Sequence, residues 1–453
     1  MHLTIEKLVY GGDGLARLPA DEHGSGKAVF VPFVLPGEQV EGAFVEEKPG
    51  FARVRADRIL HASAQRIEPH CPYFQRCGGC HYQHTSYEHQ LAIKAGILKE
   101  NLRRIAKLEL ERELIIHPSP PWNYRNRSRL KVQSAPEFAL GYFRFNSHAL
   151  LPVEECPISS PLINRAIAAF WEWGRAGQVA NELQEVEFFA NAEDSQLLIE
   201  AHCAPGLSET AAKQLTERIQ AAVPQVAGVV VFQSLAANPS KQRGSEPEKI
   251  AVAGTGELNY RTGHASYRVS AGAFFQVNRH LVGELVDLVA ETGVAGVALD
   301  LYAGAGLFSS ALSRRFAQVI AVEASQISHA DLVHNSPANV KAVRATSEQY
   351  LRSAAGKLQA DLVVVDPPRS GLGADVTRGL VESGVPRITY VSCDPATLAR
   401  DLGRLLGAGY RVEQAHLVDL FPQTYHLESV FHLVGSKYFS RRIRGTRFFL
   451  AVV

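Results

Sequence analysis

Residues 297–325 read VALDLYAGAGLFSSALSRRFAQVIAVEAS, which is an apolar strand, a glycine-rich turn, a helical run and a second apolar strand. The alternation continues downstream, where DLVVVDPP, ITYVSCDP and ATLARDLGRLLGAG read as two further strands and a helix. Strands that are apolar throughout and alternate with helices are typical of a parallel sheet covered on both faces. We therefore predict an α/β domain with a mostly parallel sheet over residues 266–437.

The chain before this domain predicts two other units. Residues 1–60 contain several short strand-like segments, separated by turn formers such as GGDG and LPGE, and this pattern is typical of an OB-like β-barrel. Residues 61–265 mix strands and helices, with a hairpin at EVEFFANAEDSQLLIEAH and a polar loop at ANPSKQRGSEPEK, and predict an α+β central domain. Residues 438–453 remain as a basic C-terminal tail.

The composition indicates a globular protein with more than one domain. The chain has 453 residues, of which 46% are hydrophobic and 21% are charged. Its first residues, MHLTIEKLVYGGDG, lack the apolar core of a signal peptide. No uninterrupted apolar run approaches the ~18 residues that a membrane-spanning helix needs. We expect a cytoplasmic protein that makes no contact with a membrane.

The net charge of +1 does not by itself indicate a nucleic-acid partner, but the local distribution of charge does. Between residues 94 and 144 there are eleven Lys and Arg against five Glu, and KYFSRRIRGTRFF near the end carries five Lys and Arg without an acid. Both stretches place aromatic residues among the cations, as phosphate contact combined with base stacking requires. An ordinary solvated charged face would explain this composition equally well.

A cofactor pocket is predicted at the carboxyl ends of the strands, where parallel sheets bind their ligands. The first strand reaches Asp300, and Gly304 and Gly306 then permit a tight turn close to a ligand. Glu323 ends the next strand, 23 positions after Asp300, near the ~20-residue spacing at which an acid binds ribose hydroxyls. NAD would need a third glycine where this chain has Ser309, so S-adenosylmethionine is favoured. Glycines that serve only a turn are the remaining alternative.

Two later strand ends carry the predicted chemistry. Asp366 ends the strand DLVVVD before a rigid Pro-Pro pair, and Cys393 follows the strand ITYVS just before a helix. The dipole at the start of that helix would favour the thiolate form of the cysteine. Farther along, PQTYHLESV sets His426 and Glu428 on one face if the segment is extended. A buried glutamate is uncommon without a partner, so Glu428 is either paired or functional.

The cysteines predict a metal centre. HCPYFQRCGGC has the spacing Cys-x5-Cys-x2-Cys, and Cys156 follows far downstream. Four thiolates bind either zinc or an iron–sulfur cluster, and the spacing does not choose between them. Cys203 lies in a strand-like segment and is expected to be a core residue.

The chain resembles the bacterial RNA uracil-5 methyltransferases, especially the ribosomal-RNA branch with an iron–sulfur cluster. The resemblance rests on FFQVN, DLYAGAGLF, VIAVEAS, VVVDPPRSGL, YVSCDPATLARDL and PQTYHLESV, and with the cysteines and the barrel it covers nearly the whole chain. It implies a TRAM domain at the N-terminus and a Rossmann-like methyltransferase domain at residues 266–437. It also implies a monomer that acts on 23S ribosomal RNA, with transfer RNA as the alternative.

The resemblance assigns roles to individual residues. It implies that Cys393 is the nucleophile and Glu428 the base. It implies a [4Fe-4S] cluster whose ligands are Cys71, Cys77, Cys80 and Cys156. The S-adenosylmethionine pocket would include Gln276, Tyr302, Gly304, Gly306, Glu323, Asp366 and, more loosely, Ser347.

The chemistry of uracil explains why these residue types are needed. Carbon 5 is a poor nucleophile, and thiolate addition to carbon 6 makes it reactive. After methyl transfer a base must remove the proton from carbon 5. An amino-group methyltransferase would have no need of Cys393, a nicotinamide oxidoreductase would need the missing glycine, and a non-catalytic RNA-binding protein would need neither Cys393 nor Glu428. The target base has to leave its stack, so a single-stranded or flipped uridine is expected.

Overall fold

The computed structural model describes residues 1–18, 26–233, 248–291, 296–356 and 358–435. The predicted basic tail at 438–453, and most of the polar loop predicted at 237–249, lie outside these residues. The described residues form four β-sheets, of which three are large and one is a hairpin.

The N-terminal sheet is a small barrel. Its strands are β1 (His2–Thr4), β2 (Lys7–Leu8), β3 (Asp13–Arg17), β4 (Ala28–Pro32), β5 (Gln39–Glu47) and β6 (Phe51–His61), in the order β1-β5-β6-β4-β3-β2. The two ends of this order, β1 and β2, are separated by only two residues, so the sheet curls back on itself. Val29 and Val31 alternate inward along β4 and pack on Val40, Ala52 and Val54.

A helix connects the barrel to the rest of the molecule. Helix α1 (Tyr87–Asn101) begins where the Ser86 side chain accepts a hydrogen bond from the His89 amide, and it continues into a π-helical turn at Leu102–Ala106. Strand β7 (Ile115–His117) follows.

The central sheet has seven strands: β8 (Arg127–Gln133), β9 (Ala139–Phe143), β10 (Leu150–Pro152), β11 (Leu183–Ala190), β12 (Leu197–Cys203), β13 (Val226–Gln233) and β14 (Glu248–Gly254). Their order is β10-β9-β8-β11-β12-β13-β14, and only the pair β12/β13 is parallel among them. Helices α2 (Pro161–Arg175) and α3 (Glu209–Ala222) pack on this sheet, and the hairpin β15 (Glu257–Arg261) and β16 (Ser266–Ser270) follows it. The hairpin predicted from EVEFFANAEDSQLLIEAH is the pair β11/β12, and Cys203 is buried as expected.

The C-terminal sheet has eight strands. Seven of them come from the C-terminal part of the chain: β17 (Val297–Leu301), β18 (Gln318–Glu323), β19 (Val340–Arg344), β20 (Leu362–Val365), β21 (Arg387–Ser392), β22 (Tyr410–Val418) and β23 (Glu428–Gly435). The order is β19-β18-β17-β20-β21-β23-β22-β7, and β23 alone runs antiparallel to its neighbours within this sheet. Strand β7 therefore joins a sheet whose other strands begin 180 positions later. The predicted domain boundaries remain a prediction.

Helices cover both faces of this sheet, as its apolar strands predict. They are α4 (Val282–Ala290), α5 (Leu307–Leu312), α6 (Gln326–Asn335), α7 (Ser347–Ser353), α8 (Gly373–Ser383) and α9 (Pro395–Gly407). Helices α4 and α5 share one core with alternate strand residues such as Ala298 and Val364, whereas α1, α8 and α9 share another with Leu299 and Val365. The predicted α/β fold with an N-terminal barrel and an α+β middle is confirmed. Within the described ranges, no helix is long and apolar enough to cross a bilayer.

Candidate active site

The glycine turn after β17 forms one wall of the site. Tyr302 has a φ of 66°, and Gly306 has a φ of 90° at the N-terminal end of α5. A Cβ added at Gly306 would lie 2.9 Å from Leu332 Cδ1, whereas one added at Gly304 would meet no atom within 4 Å. Gly306 is thus required by the packing of the turn, and Gly304 leaves open space where a ligand could approach.

Glu323 joins the glycine turn to the next strand. Its carboxylate accepts hydrogen bonds from the Gly304 amide at 2.8 Å and from the Ser325 amide at 2.7 Å. Each oxygen keeps a lone pair that these amides do not use, so the carboxylate could also accept from ribose hydroxyls. The structure therefore brings Glu323 and Gly304 together, as the sequence predicted.

Asp300 and Ser309 form a contact that the sequence pattern did not reveal. The Ser309 hydroxyl donates a hydrogen bond to Asp300 Oδ2 at 2.5 Å, at the position where a dinucleotide-binding turn would carry its third glycine. Burial raises the pKa of Asp300 to about 7, and its Oδ1 has no hydrogen-bond partner among the described residues. Strand β17 thus ends beside a carboxyl group with one oxygen that no described residue binds.

Tyr302 and Ser347 lie side by side on the same edge of the sheet. Helix α7 begins at Thr346, which forms a capping box with Gln349 and so sets Ser347 in the first turn. The Ser347 side chain is hydrogen-bonded to the Tyr302 hydroxyl, and burial raises the pKa of Tyr302 to about 12. Two of the residues that the resemblance assigned to the cofactor pocket are therefore in contact.

Gln276 is buried in the segment between β16 and α4, and the central sheet holds this segment in place. The Asn126 side chain donates to the Gln276 carbonyl at 3.1 Å, and Arg127 donates to the Ala273 carbonyl at 2.6 Å. Phe275 packs in the same core as Phe308 of α5. The FFQVN segment thus connects the central sheet to the helix that follows the glycine turn, while Phe274 remains 64% exposed.

Strand pairing sets Cys393 beside Glu428. Ser392 of β21 is the antiparallel partner of Ser429 of β23, so the next residues in this register, Cys393 and Glu428, lie opposite each other. The Ser429 hydroxyl donates to the Ser392 carbonyl at 3.2 Å. The sequence predicts His426 and Glu428 on one face if their segment is extended, but β23 begins at Glu428 and His426 lies before it, so the two do not share a strand face. The His426 ring packs against that of Tyr425, with 4.1 Å between the ring centroids.

The acids around Cys393 oppose thiolate formation. The pKa of Cys393 is raised to about 12; burial is the largest cause, the charges of Glu428 and Asp366 contribute, and Arg369 opposes them. The dipole of α9, which the sequence predicts to favour the thiolate, therefore does not determine the ionisation of the thiol. The physical reason is that desolvation and neighbouring carboxylates outweigh the dipole, and that Asp394, which caps α9 through the Ala396 and Thr397 amides, is itself an acid beside the thiol.

Glu428 and Asp366 are strongly perturbed carboxyl groups. Burial raises the pKa of Glu428 well above its ordinary range, with Asp366 adding to the effect. Burial also raises the pKa of Asp366 to about 7, and Asp300 contributes. Glu428 Oε1 has no hydrogen-bond partner in the described part of the chain. An unpaired buried carboxyl group beside a thiol is typical of a catalytic site.

The barrel also reaches this site, which the sequence pattern did not predict. The Tyr10 hydroxyl, from the loop between β2 and β3, donates a hydrogen bond to the Cys393 carbonyl at 3.1 Å. Arg369, just beyond Asp366, is the cation that lowers the pKa of Cys393. Its position after the two prolines was a signal that could have identified it.

The four predicted metal ligands line one cavity of about 260 Å³, together with Arg125 and Tyr142; they are Cys71, Cys77, Cys80 and Cys156. All four are free thiols. Burial raises the pKa of Cys77 to about 11, and the charge of Cys156 contributes. Among the described residues, however, no three His, Cys, Asp or Glu side chains are close enough together to hold a metal ion. The donor set fits an iron–sulfur cluster in number and kind, and the cluster itself stays a prediction.

The chain is similar to known RNA methyltransferases along almost its whole length. Residues 86–435 match the model of the tRNA (uracil-5-)-methyltransferase family. An uncharacterized RNA methyltransferase of Aquifex aeolicus is 34% identical, over 95% of this chain and 97% of that protein. The 23S rRNA (uracil(1939)-C(5))-methyltransferase RlmD of Alkalilimnicola ehrlichii is 30% identical, over 94% of this chain and 95% of that protein.

A solved structure shares the fold. The Pyrococcus abyssi tRNA (uracil-54, C5)-methyltransferase, in complex with S-adenosyl-L-homocysteine, superposes with a TM-score of 0.74 at 23% identity, over 95% of this chain and 99% of that one. The fold, the match over residues 86–435 and the paired thiol and carboxyl group agree with one another. The chain belongs to the tRNA (uracil-5-)-methyltransferase family and is an RNA methyltransferase.

Proposed function

We propose that the protein transfers a methyl group from S-adenosylmethionine to carbon 5 of a uridine in 23S ribosomal RNA, giving 5-methyluridine. The observation that carries this proposal is the register of β21 and β23, which sets the thiol of Cys393 beside the carboxyl group of Glu428. The ribosomal substrate is supported by the relative from Alkalilimnicola ehrlichii, whose name gives a 23S rRNA uracil as its target. A cytoplasmic monomer would suit this function.

Cys393 would act as the nucleophile. Its thiol gives its proton to water, and the sulfur forms a bond to carbon 6 of the uracil, which moves the electrons of the 5,6 double bond onto carbon 5 and the carbonyl oxygen at position 4. The nearby charge of Arg369 would favour this ionisation. Bound S-adenosylmethionine supplies an electrophilic methyl group for carbon 5.

Glu428 would act as the base that completes the reaction. It removes the proton from the methylated carbon 5, the double bond re-forms, and the bond between carbon 6 and the Cys393 sulfur breaks. A carboxylate with a raised pKa is a stronger base than an exposed one, which suits this role. The residues proposed to hold the methyl donor are Gln276, Tyr302, Gly304, Gly306, Glu323, Ser347 and Asp366.

A [4Fe-4S] cluster bound by Cys71, Cys77, Cys80 and Cys156 is also proposed. It is supported by the gathering of these four thiols around one cavity. Arg125 lines the same cavity, and its charge would balance the negative charge of four thiolates. We assign the cluster a structural role and no step of the reaction.

RNA substituted with 5-fluorouridine tests the proposal directly. Fluorine cannot leave carbon 5 as a proton, so incubation with the methyl donor should give a protein–RNA adduct that survives denaturation. Cys393→Ala should form none. Comparing unmodified 23S rRNA with transfer RNA as substrate would identify the RNA. If wild-type protein forms no adduct with either RNA, the proposed attack of Cys393 on carbon 6 of these substrates is refuted.

A further inference from the structure

A second cavity, of about 550 Å³, lies where the barrel, the cysteine segment and the loop before β23 meet. It is separate from the cavity of the four cysteines. Its walls carry aromatic and imidazole rings from these three parts and from the loop between β9 and β10: Tyr10, Phe30, His81, Phe145, Tyr425 and His426. A cavity of this size is in the range of small-molecule and nucleotide sites.

Four of these rings pack against one another edge to face along the wall of the cavity. Tyr425 contacts Tyr10 at a centroid distance of 5.4 Å and 90°, and His81 at 4.6 Å and 74°. His81 in turn approaches Phe145 at 6.2 Å and 68°. These contacts hold the rings in fixed positions, and flat ligands stack on such surfaces.

His81 contributes a polar atom that has no protein partner. It is only 8% exposed, and its Nδ1 has no hydrogen-bond partner among the described residues. Its backbone amide donates to the Gln423 carbonyl at 2.8 Å, so the ring is held against the loop that leads into Glu428. A buried nitrogen without a partner is unfavourable unless a ligand or water supplies one.

The cavity adjoins the active site and opens beside a cation. Tyr10 lines it and donates to the Cys393 carbonyl, and His426 lines it two residues before Glu428. At the rim, the exposed Arg53 pairs with Asp13 at 2.9 Å and lies over the Phe30 ring at 5.8 Å. Arg53 also pairs with Glu46 at 3.5 Å, so two carboxylates share its charge. The guanidinium has five N–H donors and can still donate to a phosphate beside them.

We infer that this cavity binds one nucleobase of the substrate RNA, next to the target uridine, by stacking on Phe30, Phe145 and Tyr425. The inference rests on the proposed function for the identity of the substrate. It gives the barrel a second role, because Phe30 and Tyr10 would position the RNA strand against Cys393. The flat face of a nucleobase matches the rings that line the cavity, and the phosphate beside it matches the cation at the rim.

Kinetics with hypomethylated ribosomal RNA, isolated from cells that lack the enzyme, tests this inference. Phe30→Ala should raise the KM for RNA about tenfold, since loss of one stacked base has an effect of that order. The kcat and the KM for S-adenosylmethionine should stay unchanged. The matched control is Phe44→Ala, a barrel phenylalanine that is 47% exposed and does not line the cavity.

Crosslinking identifies the nucleotide. The 5-fluorouridine adduct on Cys393 is formed first, and it is then irradiated with ultraviolet light and digested. Peptides that contain Phe30, Phe145 or Tyr425 should carry a nucleotide that is adjacent to the trapped uridine in the RNA. The inference would be overturned if Phe30→Ala and Phe44→Ala had equal KM values for RNA and the crosslinks lay on other peptides. The covalent adduct on Cys393 would still form in that case. Absence of the adduct would instead refute the proposed function. A thermal melt of each variant verifies that it is folded.

Discussion

Ser392 and Ser429 are paired across two antiparallel strands, and a hydrogen bond of 3.2 Å from the Ser429 hydroxyl to the Ser392 carbonyl reinforces the pairing. This relationship aligns the end of β21 with the start of β23. A shift of one residue would turn Glu428 to the other face of the sheet and away from Cys393. The candidate active site thus depends on strand register as much as on the identity of its residues.

Glu428→Gln should separate the two halves of the reaction. Without a base, the step that releases the product slows, and kcat should fall by about 10²- to 10⁴-fold. The nucleophile remains, so a covalent protein–RNA complex should accumulate even with ordinary uridine, visible as a shifted band on a denaturing gel. Glu382→Gln, at an exposed position on α8, is the matched control and should behave like wild type. Full turnover by Glu428→Gln would remove Glu428 from the mechanism.

Arg369→Gln should shift the pH dependence of adduct formation. The charge of Arg369 lowers the pKa of Cys393, which burial and nearby acids hold at about 12. Removing the cation raises that pKa, so less thiolate is present at any pH below it, and the rate profile should move by up to about one unit toward alkaline pH. Arg378→Gln, on the exposed side of α8, should leave the profile in place. A shift toward acid pH would contradict this account.

Much of the site could be predicted because it follows a rule of parallel sheets. Asp300, Glu323, Asp366 and Cys393 all lie at strand ends, and apolar strands are visible in the sequence. Tyr10 could not be found in this way, since it contacts Cys393 across 383 positions of chain. The pKa of Cys393 could not be judged from the helix dipole alone, because burial raises it most and the acids Glu428 and Asp366, from two other strands, raise it as well. Local patterns do not report which distant charges will become neighbours.

Stability should decrease between neutral and mildly acidic pH. Burial lowers the pKa of His416 to about 4 and that of His432 to about 3, from an ordinary value of 6.5. The unfolded chain therefore binds protons that the folded chain does not, and stability is lost as pH falls below 6.5 toward 4. Between pH 7 and pH 5 the loss is about 2 kcal/mol per histidine.

Chemical denaturation at pH 7 and pH 5 measures this effect. His416→Gln should lose less stability than wild type over the same interval, because it removes one of the buried histidines whose pKa is lowered. His61→Gln replaces an exposed histidine and should match wild type. Equal losses in wild type and His416→Gln would show that other groups govern the acid sensitivity.

The four cysteines around the smaller cavity predict an iron-containing protein. Cys80→Ser should abolish bound iron and acid-labile sulfide when the protein is purified without oxygen, whereas wild type should retain both. Cys203→Ser is the control, because Cys203 is a buried thiol in β12 away from that cavity. If the wild-type protein contained zinc instead of iron, the metal site would be confirmed and the iron–sulfur cluster refuted. If the wild-type protein contained no metal, both the metal site and the cluster would be refuted.

Lys94 and Asp419 form a fully buried ion pair that fixes the loop before β23. The Lys94 ammonium donates to Asp419 Oδ1 at 2.6 Å and to the Phe421 carbonyl at 2.9 Å, and both side chains are inaccessible to solvent. Lys94→Met would leave the Asp419 carboxylate buried without its cation, at a cost of about 3–5 kcal/mol in the free energy of unfolding.

Adding Asp419→Leu to Lys94→Met should restore part of that loss, since no uncompensated charge then remains. Lys213→Met, which breaks an exposed pair with Glu209, should change the free energy of unfolding by less than about 1 kcal/mol. Denaturant melts of the three variants give these values. If Lys94→Met lowered the free energy of unfolding as little as Lys213→Met, water would have to reach Asp419. The loop that carries Tyr425 and leads into Glu428 would then be held by its hydrogen bonds and not by the ion pair.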